Sequence, residues 1–155
     1  MIRPYRSADL DRLKEITAVC FAAVSIDANI EARFGLIGGR DWRWRKLRHL
    51  DADVEGDRGC GVFVWEEDNS VVGYITTRVD PQSKIGWIPN MAVLPEFQGK
   101  GIGRRLMDHA LDFMRQEGME AARIETLAQN AIGSNFYPSA GFQEVARQIH
   151  YLMRL

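Results

Sequence analysis

At 155 residues the chain suits one domain large enough to bury a core. Hydrophobic residues make up 46% and charged residues 26%, an ordinary globular balance, and a net charge of −1 supplies no basic field for nucleic acid or an acidic membrane. No apolar run approaches the roughly 20 residues of a membrane span, and the N-terminus "MIRPYRSADLDRLKEI" brings in charge too early for a signal peptide.

In chain order, Ile2 to Tyr5 reads as a short strand. "SADLDRLKEITAVCFAAV" opens a helix, with Ser7 as its N-cap, acidic residues in the first turn, and Leu10, Leu13, Ile16 and Thr17 recurring at helical spacing. A second helix is predicted within "RDWRWRKLRHLDADV", with Trp44, Leu47 and Val54 facing inward. "GCGVFVWEE" and "SVVGYITTRVD" are strands joined by a turn through Asp68 and Asn69. "KIGWIPNMAVL" reads as one further strand, mostly apolar and therefore central. The next helix runs from about Ile102 to Glu117 and ends at Gly118, with Ile102, Leu106, Ala110 and Phe113 as its inner stripe. "ARIETLAQ" is a strand, "AIGSNFYPSAG" contains a short helix, and "FQEVARQIHYLMRL" closes the chain as one or two strands. This order predicts an α/β sandwich with a mixed sheet, and no repeat or linker marks a domain boundary. Cys20 and Cys60 lie in no CxxC or Cys/His cluster, which fits ordinary thiols of a reduced cytosolic protein. His49, His109 and His150 show no ligand spacing, so no metal is expected.

The stretch "MAVLPEFQGKGIGRRLM" places three glycines between the central strand and an amphipathic helix. It is neither a P-loop, which needs GxxxxGK before Ser or Thr, nor a GxGxxG fingerprint, because position 104 is Arg104. What remains is a QxxGxG loop over Gln98, Gly99, Lys100, Gly101, Ile102 and Gly103. The first turn of a helix leaves amides unpaired and partly positive, and glycines let a pyrophosphate approach the backbone. Arg104 and Arg105 add charge at the rim. The competing reading is a tight turn whose glycines serve packing alone.

At these residues the sequence resembles the GNAT superfamily of N-acetyltransferases, which bind acetyl-CoA. The family pattern apolar-x-Val-x-Pro-x-x-Gln/Arg-Gly-x-Gly-Ile-Gly matches "MAVLPEFQGKGIG" from Met91 to Gly103. An Asn, a Tyr seven positions later and a Gly-Phe follow, as Asn130, Tyr137 and Gly141-Phe142. The opening "IRPYRSADLDRLKEI" also looks like the family's first strand and helix. The resemblance implies one acetyltransferase domain over residues 1–155. Its sheet would be mixed and mostly antiparallel, with helices on both faces and a splayed central parallel strand pair. The pantetheine arm would lie between the strand ending near Val93 and the strand through Ile124 to Leu127. Main-chain groups of Met91, Ala92 and Val93 would bond that arm, and one amide would polarise the thioester carbonyl. The amides from Gly99 to Arg104 would hold the pyrophosphate with Gln98 beside it, and Asn130 would steady the arm.

Acetyl transfer needs a neutral amine, a stabilised tetrahedral intermediate and a proton for the leaving thiolate. Tyr137 matches the family's position for the acid, since a phenol with a reference pKa of about 10 can donate at neutral pH. Pro138 directly follows and disfavours helical geometry at Tyr137. Glu125 borders the thioester and is the candidate base, its carboxyl raised by partial burial; the alternative is a strand carboxylate paired with Arg123. Glu66 and Glu67 are weaker candidates, and the amide of Asn90 cannot act as a base. The acceptor would enter over "IDANIEARFGLIGGRDWRWRKLRHL", whose Arg40, Arg43, Arg45, Lys46 and Arg48 interleave with Trp42 and Trp44. That pattern suits either an anionic acceptor or an amphipathic helix with a solvated basic face, and the latter is preferred. Trp65 and Trp87 read as sheet packing. The resemblance implies acetylation of a primary amine on a small molecule or peptide in the cytoplasm, by direct attack in a ternary complex. The alternative is a non-catalytic acyl-CoA-binding sensor. No nucleic-acid or membrane partner is expected, and a homodimer through the sheet edge or the last strands is allowed.

Overall fold

Strand β1 (Ile2–Pro4) runs antiparallel to β2 (Val62–Glu67), and β2 pairs antiparallel with β3 (Ser70–Thr76). The structure is a computed structural model that describes residues 1–55 and 61–155; Cys60 and the predicted strand start at Gly59 lie outside the described residues. The turn between β2 and β3 uses Asp68 (φ 47°) and Asn69 (φ 61°), both left-handed, the geometry whose twist matches a two-residue hairpin.

The predicted single strand "KIGWIPNMAVL" is interrupted into two strands, of which only the first pairs with β6 (Ala121–Arg123). Its first part, β4 (Ile85–Trp87), pairs parallel with β6; its second, β5 (Met91–Val93), pairs antiparallel with β3. β6 drops away across Ile88 to Asn90: the Ile88 amide is the last to donate to it, at the Arg123 carbonyl (3.0 Å), whereas the other side stays bonded throughout, Trp87 sharing two bonds with Arg78 (2.8 Å each) and the Asn90 carbonyl accepting from the Thr76 amide (2.9 Å). Pro89 sits between them and, having no N–H, cannot donate to either ladder. The architecture is therefore the mixed, mostly antiparallel sheet with a diverging parallel pair, the divergence arising inside one continuous segment.

Side chains alternate across the sheet. Val64 and Tyr74 face α1 (Leu10–Cys20), where the Tyr74 hydroxyl lies 2.6 Å from Thr17 Oγ1. Phe63 and Ile75 face α4 (Ile102–Gln116), where the Phe63 ring meets Phe113 edge-on at 5.4 Å. Leu13, Ile16, Leu106, Met107 and Ala110 are fully buried between these layers. Each large side chain of this kind contributes about 1.5–3 kcal/mol by leaving water. Met107 and Met114 fill the core side of α4, and Phe113 is only half-buried.

Five further features depart from the sequence reading. Ser7 is not the first N-cap: Asp9 reaches back to the Arg6 amide (2.7 Å) and holds Arg3 with both oxygens (2.8 and 2.9 Å). The unanticipated helix α2 (Ile26–Phe34) is bounded by Ser25, which caps the Ala28 amide (3.0 Å), and by Gly35 at φ 69°. In α3 (Trp42–Val54) the inward residues are Trp42, Leu50 and Asp53, while Trp44 is exposed and Leu47 and Val54 are half-buried. The last helix, α5 (Ala131–Ser139), keeps both Tyr137 and Pro138 within it; a proline one residue from the end removes little helical bonding. Residues 143–155, predicted as strands, pair with no strand among the described residues. No described helix is long and apolar enough to cross a membrane.

Candidate active site

The site begins where β5 and β6 part. The carbonyl of Asn90 and the amide of Leu94 both bond β3, to Thr76 and Val72 at 2.9 Å. In an antiparallel ladder the bonding direction alternates. The main-chain groups of Ala92 therefore also face β3, and those of Met91 and Val93 point away, toward β6. On that side β6 is bonded to β4 only as far as Arg123, and residues 124–127 join no ladder. These are the two stretches that the sequence resemblance assigns as walls of the pantetheine slot, Met91 and Val93 on one side and Ile124 to Leu127 on the other, and among the described residues neither bonds the other. The Val93 carbonyl is engaged by Gln98 Nε2 (2.8 Å) and Cys20 Sγ (3.4 Å). Burial, with Glu96 near by, pushes the Cys20 thiol up to about 11, so it is a neutral donor at this wall.

The glycine loop closes one end of the slot. Gly99 (φ 74°) and Gly101 (φ 80°) are both left-handed, and a Cβ on either would meet nothing within 4 Å. Conformation requires these glycines, and the open space leaves the backbone approachable. Gly101 is the N-cap of α4, and the first amide bonded back into the helix is that of Arg105, to the Gly101 carbonyl (3.1 Å). Among the described residues, the amides of Gly99, Lys100, Gly101, Ile102, Gly103 and Arg104 bond no protein group. They form a row of donors at the positive end of a 15-residue helix. Gly103 has another reason to be glycine: a Cβ there would lie 3.1 Å from Met91 Cε and 3.9 Å from the Phe136 ring, where β5, α4 and α5 converge. The flanking cations are partly committed. Lys100 lies over Phe97, Arg104 bonds Asp108 (3.0 Å) and the Ser139 carbonyl (3.1 Å), and Arg105 turns to Trp65 instead of the loop rim.

Helix α5 carries Tyr137 to the other side of this junction, between Phe136 (5.6 Å) and Phe142 (6.2 Å). Burial alone pushes its phenol up to about 12, and its hydroxyl bonds no protein group among the described residues. Asn130 caps this helix: its Oδ1 accepts from the Gly133 amide (3.1 Å) and its Nδ2 donates to Thr126 Oγ1 (2.9 Å). Both ends of that amide are thus committed to shaping the turn that follows the slot wall. Gly133 was not anticipated; a Cβ there would lie 2.8 Å from Asn130 Nδ2, 2.9 Å from Thr126 Oγ1 and 3.0 Å from the Tyr137 ring. Its three-residue spacing from Asn130 is the signal that could have found it.

Glu125 is placed differently from the expectation. Its side chain is 59% exposed and not partly buried; it accepts from Trp87 Nε1 (2.6 Å) and pairs with Arg123 at 3.6 Å. Trp87 is half-buried between Arg78 and Arg123, each about 5 Å from its ring. Glu66 is held by Arg3 (2.6 Å) and Glu67 by Trp65 Nε1 (2.8 Å), both at the β1–β2 side of the sheet. Sequence reasoning also missed the polar cluster anchoring the residue before Met91. Lys46 Nζ donates to Asn90 Oδ1 (2.7 Å), and Asn90 Nδ2 donates to Asp53 Oδ2 (2.6 Å). Asp53 also accepts from Thr76 Oγ1 (3.1 Å) and Arg78 (2.6 Å). Burial holds the Lys46 ammonium below the usual lysine range, and Asp27 and Asp53 oppose that shift.

A substitution tests the loop. Gly101→Val places a β-branched side chain at φ 80° and over the free amides. It should cost about 1–2 kcal/mol of stability and weaken CoA binding about tenfold, read by thermal melting and calorimetry. Unchanged binding would remove the loop from the ligand site.

The chain matches the acetyltransferase (GNAT) family over residues 19–142. It is 30% identical over 140 residues to N-alpha-acetyltransferase 30 of Saccharomyces cerevisiae, covering 86% of this chain and 74% of that protein. It is 37% identical over 97 residues to the [ribosomal protein bS18]-alanine N-acetyltransferase of Salmonella typhimurium, covering 63% and 64%. Among solved structures, it shares a fold with an aminoglycoside N-acetyltransferase in complex with CoA, at a TM-score of 0.70, 16% identity and full coverage of both chains. The ribosomal-protein-S18-alanine N-acetyltransferase from Escherichia coli superposes at 0.70 with 21% identity, covering 94% of this chain and 79% of that one. The family match and the relatives show that the chain belongs to the GNAT acetyltransferase family, acyltransferases that draw their acetyl group from acetyl-CoA.

Proposed function

We propose that the chain acetylates a primary amine by direct attack within a ternary complex, and that the acceptor is an α-amine of a peptide or protein. The observation carrying this reading is the loss of β6 beyond Ile88, which leaves the amides of Met91 and Val93 turned away from β3 and outside any ladder among the described residues. Acetyl-CoA supplies an activated acyl group with a thiolate leaving group. The amides of Gly99 to Arg104 bind the diphosphate, with the Gln98 side chain bracing the Val93 carbonyl above them. Met91, Ala92 and Val93 offer the strand along which the pantetheine arm runs, and a free amide there stabilises the developing oxyanion. Tyr137 delivers the proton to the thiolate. Glu125, exposed and bonded to Trp87, takes the amine's proton through water. Asn130 acts on the arm indirectly, by fixing the turn after Thr126.

The acceptor class rests on charge as well as on the relatives, two of which are named for N-terminal or alanine acetylation. A polycationic acceptor requires free carboxylates at the entrance. Here Asp27 lies against Arg45 (3.5 Å) and Glu31 accepts from the Trp42 amide. Exposed Trp44 on α3 instead carries two cations over its ring, Arg48 from the same helix and Arg40 from the turn before it. This basic, aromatic face disfavours aminoglycoside-like cations.

The test is release of free CoA thiol with a panel of peptides, polyamines and aminoglycosides, alongside calorimetry of acetyl-CoA. Turnover with peptide α-amines and silence with polycations is the expected result. Turnover confined to polycations overturns the acceptor assignment. Tight acetyl-CoA binding with no thiol release across the panel overturns the catalytic reading in favour of a sensor.

A further inference from the structure

A Cβ on Gly86 would lie 2.5 Å from Met114 Sδ, so Gly86 faces α4 and its neighbour Trp87 faces the opposite layer. Arg78 is bridged to Trp87 on one side, and Arg123 stands opposite Trp87 in β6 on the other. Among the described residues, Arg78, Asp80, Ser83, Trp87 and Arg123 line a cavity of about 300 Å³, room for one side chain of a larger ligand. Both guanidiniums lie over the Trp87 ring, at 5.3 and 5.2 Å, and both keep unspent donors. Arg78 is anchored by Nη2 to Asp53 (2.6 Å), and its buried Nε has no partner among the described residues. Arg123 is 60% exposed and meets Glu125 only at 3.6 Å.

The carboxylates around this cavity are already engaged. Asp53 receives Arg78, Thr76 and Asn90. Asp80 closes its own turn by accepting from the Gln82 amide (2.9 Å), and Glu125 accepts from Trp87 Nε1 (2.6 Å). Two guanidiniums beside one aromatic ring suit a carboxylate, which takes paired N–H donors in a fork. Glu125 ties the cavity to the reacting centre, because it is the proposed base and bonds the cavity's own tryptophan. Trp87 also precedes Met91 by four residues, roughly 13 Å along extended chain. Three residues of an extended peptide span about 10 Å, and an acidic side chain covers the remainder.

We propose that this cavity is a specificity subsite of the acetyl acceptor and takes the carboxylate of an Asp or Glu within the first three residues of the acceptor peptide. The assignment rests on the peptide α-amine reading above and names the sequence class that reading leaves open. Arg123 and Arg78 hold the carboxylate against Trp87, while the peptide's α-amine lies toward Met91. The diphosphate row belongs to α4, in the other layer, so the two substrates do not compete for these cations.

Peptides beginning Ala-Glu-Ala and Ala-Ala-Glu are compared with their Gln counterparts by thiol release. One acidic peptide should exceed its Gln counterpart about tenfold in kcat/KM, the effect of one charge-assisted contact, mostly through KM. Arg123→Gln, at an exposed position, should bring that ratio close to one, and the ratio cancels any change in turnover common to both peptides. Occupancy is read without turnover. Nα-acetylated product peptides are titrated with CoA into ¹⁵N-labelled protein. The acidic product should shift the Trp87 indole N–H resonance, assigned by Trp87→Phe, and the Gln product should leave it in place. Equal efficiencies, a preference that survives Arg123→Gln, or an unmoved Trp87 resonance each overturn the subsite, while peptide turnover would leave the wider reading standing. Thiol release from no peptide, with Trp87 shifting for the acidic product alone, would support the subsite and sink the catalytic reading on peptides.

Discussion

Tyr137→Phe is expected to lower turnover about 100-fold, the lower end of what a positioned general acid supplies, while acetyl-CoA affinity stays nearly constant. The ring is retained, so its contacts with Phe136, Phe142 and Gly133 survive and the fold loses little. Only the proton donor is removed. A hundredfold loss corresponds to about 2.7 kcal/mol of transition-state stabilisation. The pH dependence follows from burial, which raises the phenol to about 12. A phenol stays protonated below its pKa, so Tyr137 remains a competent acid throughout the neutral and mildly alkaline range and contributes no alkaline limb there. Its linkage to stability has the matching sign: the folded value lies above the unfolded value of about 10, so its contribution is complete below that pH and is lost as pH rises toward 12. Single-turnover kinetics of the Phe variant, with melting curves at high pH, test both statements. Unchanged turnover would assign Tyr137 to packing alone.

Asp53→Ala should remove about 3 kcal/mol of stability, the low end of the range for breaking a buried ion pair, and lower the melting temperature by on the order of 10 °C. Asp53 is 2% exposed and receives hydrogen bonds from Asn90, Thr76 and Arg78. Arg78 is 38% exposed and can turn to water, which keeps the loss at that low end. Asn90 is 4% exposed and cannot. Its Nδ2 would be left without an acceptor, one residue before the strand that faces the slot. The variant should therefore also raise the KM for acetyl-CoA more than it changes turnover, because the wall at Met91 loses its anchor while Tyr137 is untouched. Denaturant melts and steady-state kinetics read the two effects separately. A melting temperature within a degree or two of the parent would mean that the cluster is wetter than its burial indicates.

Much of this site could be read from local sequence, because its parts are local in origin. Gly99 and Gly101 are left-handed for reasons internal to one loop, and the amide row follows from the start of a single helix. Asp68 and Asn69 specify their hairpin by the same kind of argument. Errors arose where long-range contacts decided. Trp44 fits the apolar face of α3 by spacing, yet the core takes Trp42 and Asp53, the latter because Arg78, Thr76 and Asn90 arrive from distant strands to satisfy it. The resemblance places Glu125 partly buried beside the thioester; β6 leaves its ladder at Arg123, and the carboxylate emerges beside Trp87.

The sequence by itself determined the family pattern from Met91 to Phe142, the glycine loop, the amphipathic helix that follows it, and the candidate acid at Tyr137. Those features depend on backbone freedom, helix periodicity and residue spacing, which operate over a few residues. Only the tertiary structure decided where the strand containing Pro89 loses β6, and that Lys46, Asp53 and Asn90 meet beside it. It also decided that the apolar C-terminal segment joins no strand among the described residues. A strand's partner is set by competition between whole ladders and by the burial of groups far apart in sequence, and no local window contains that competition.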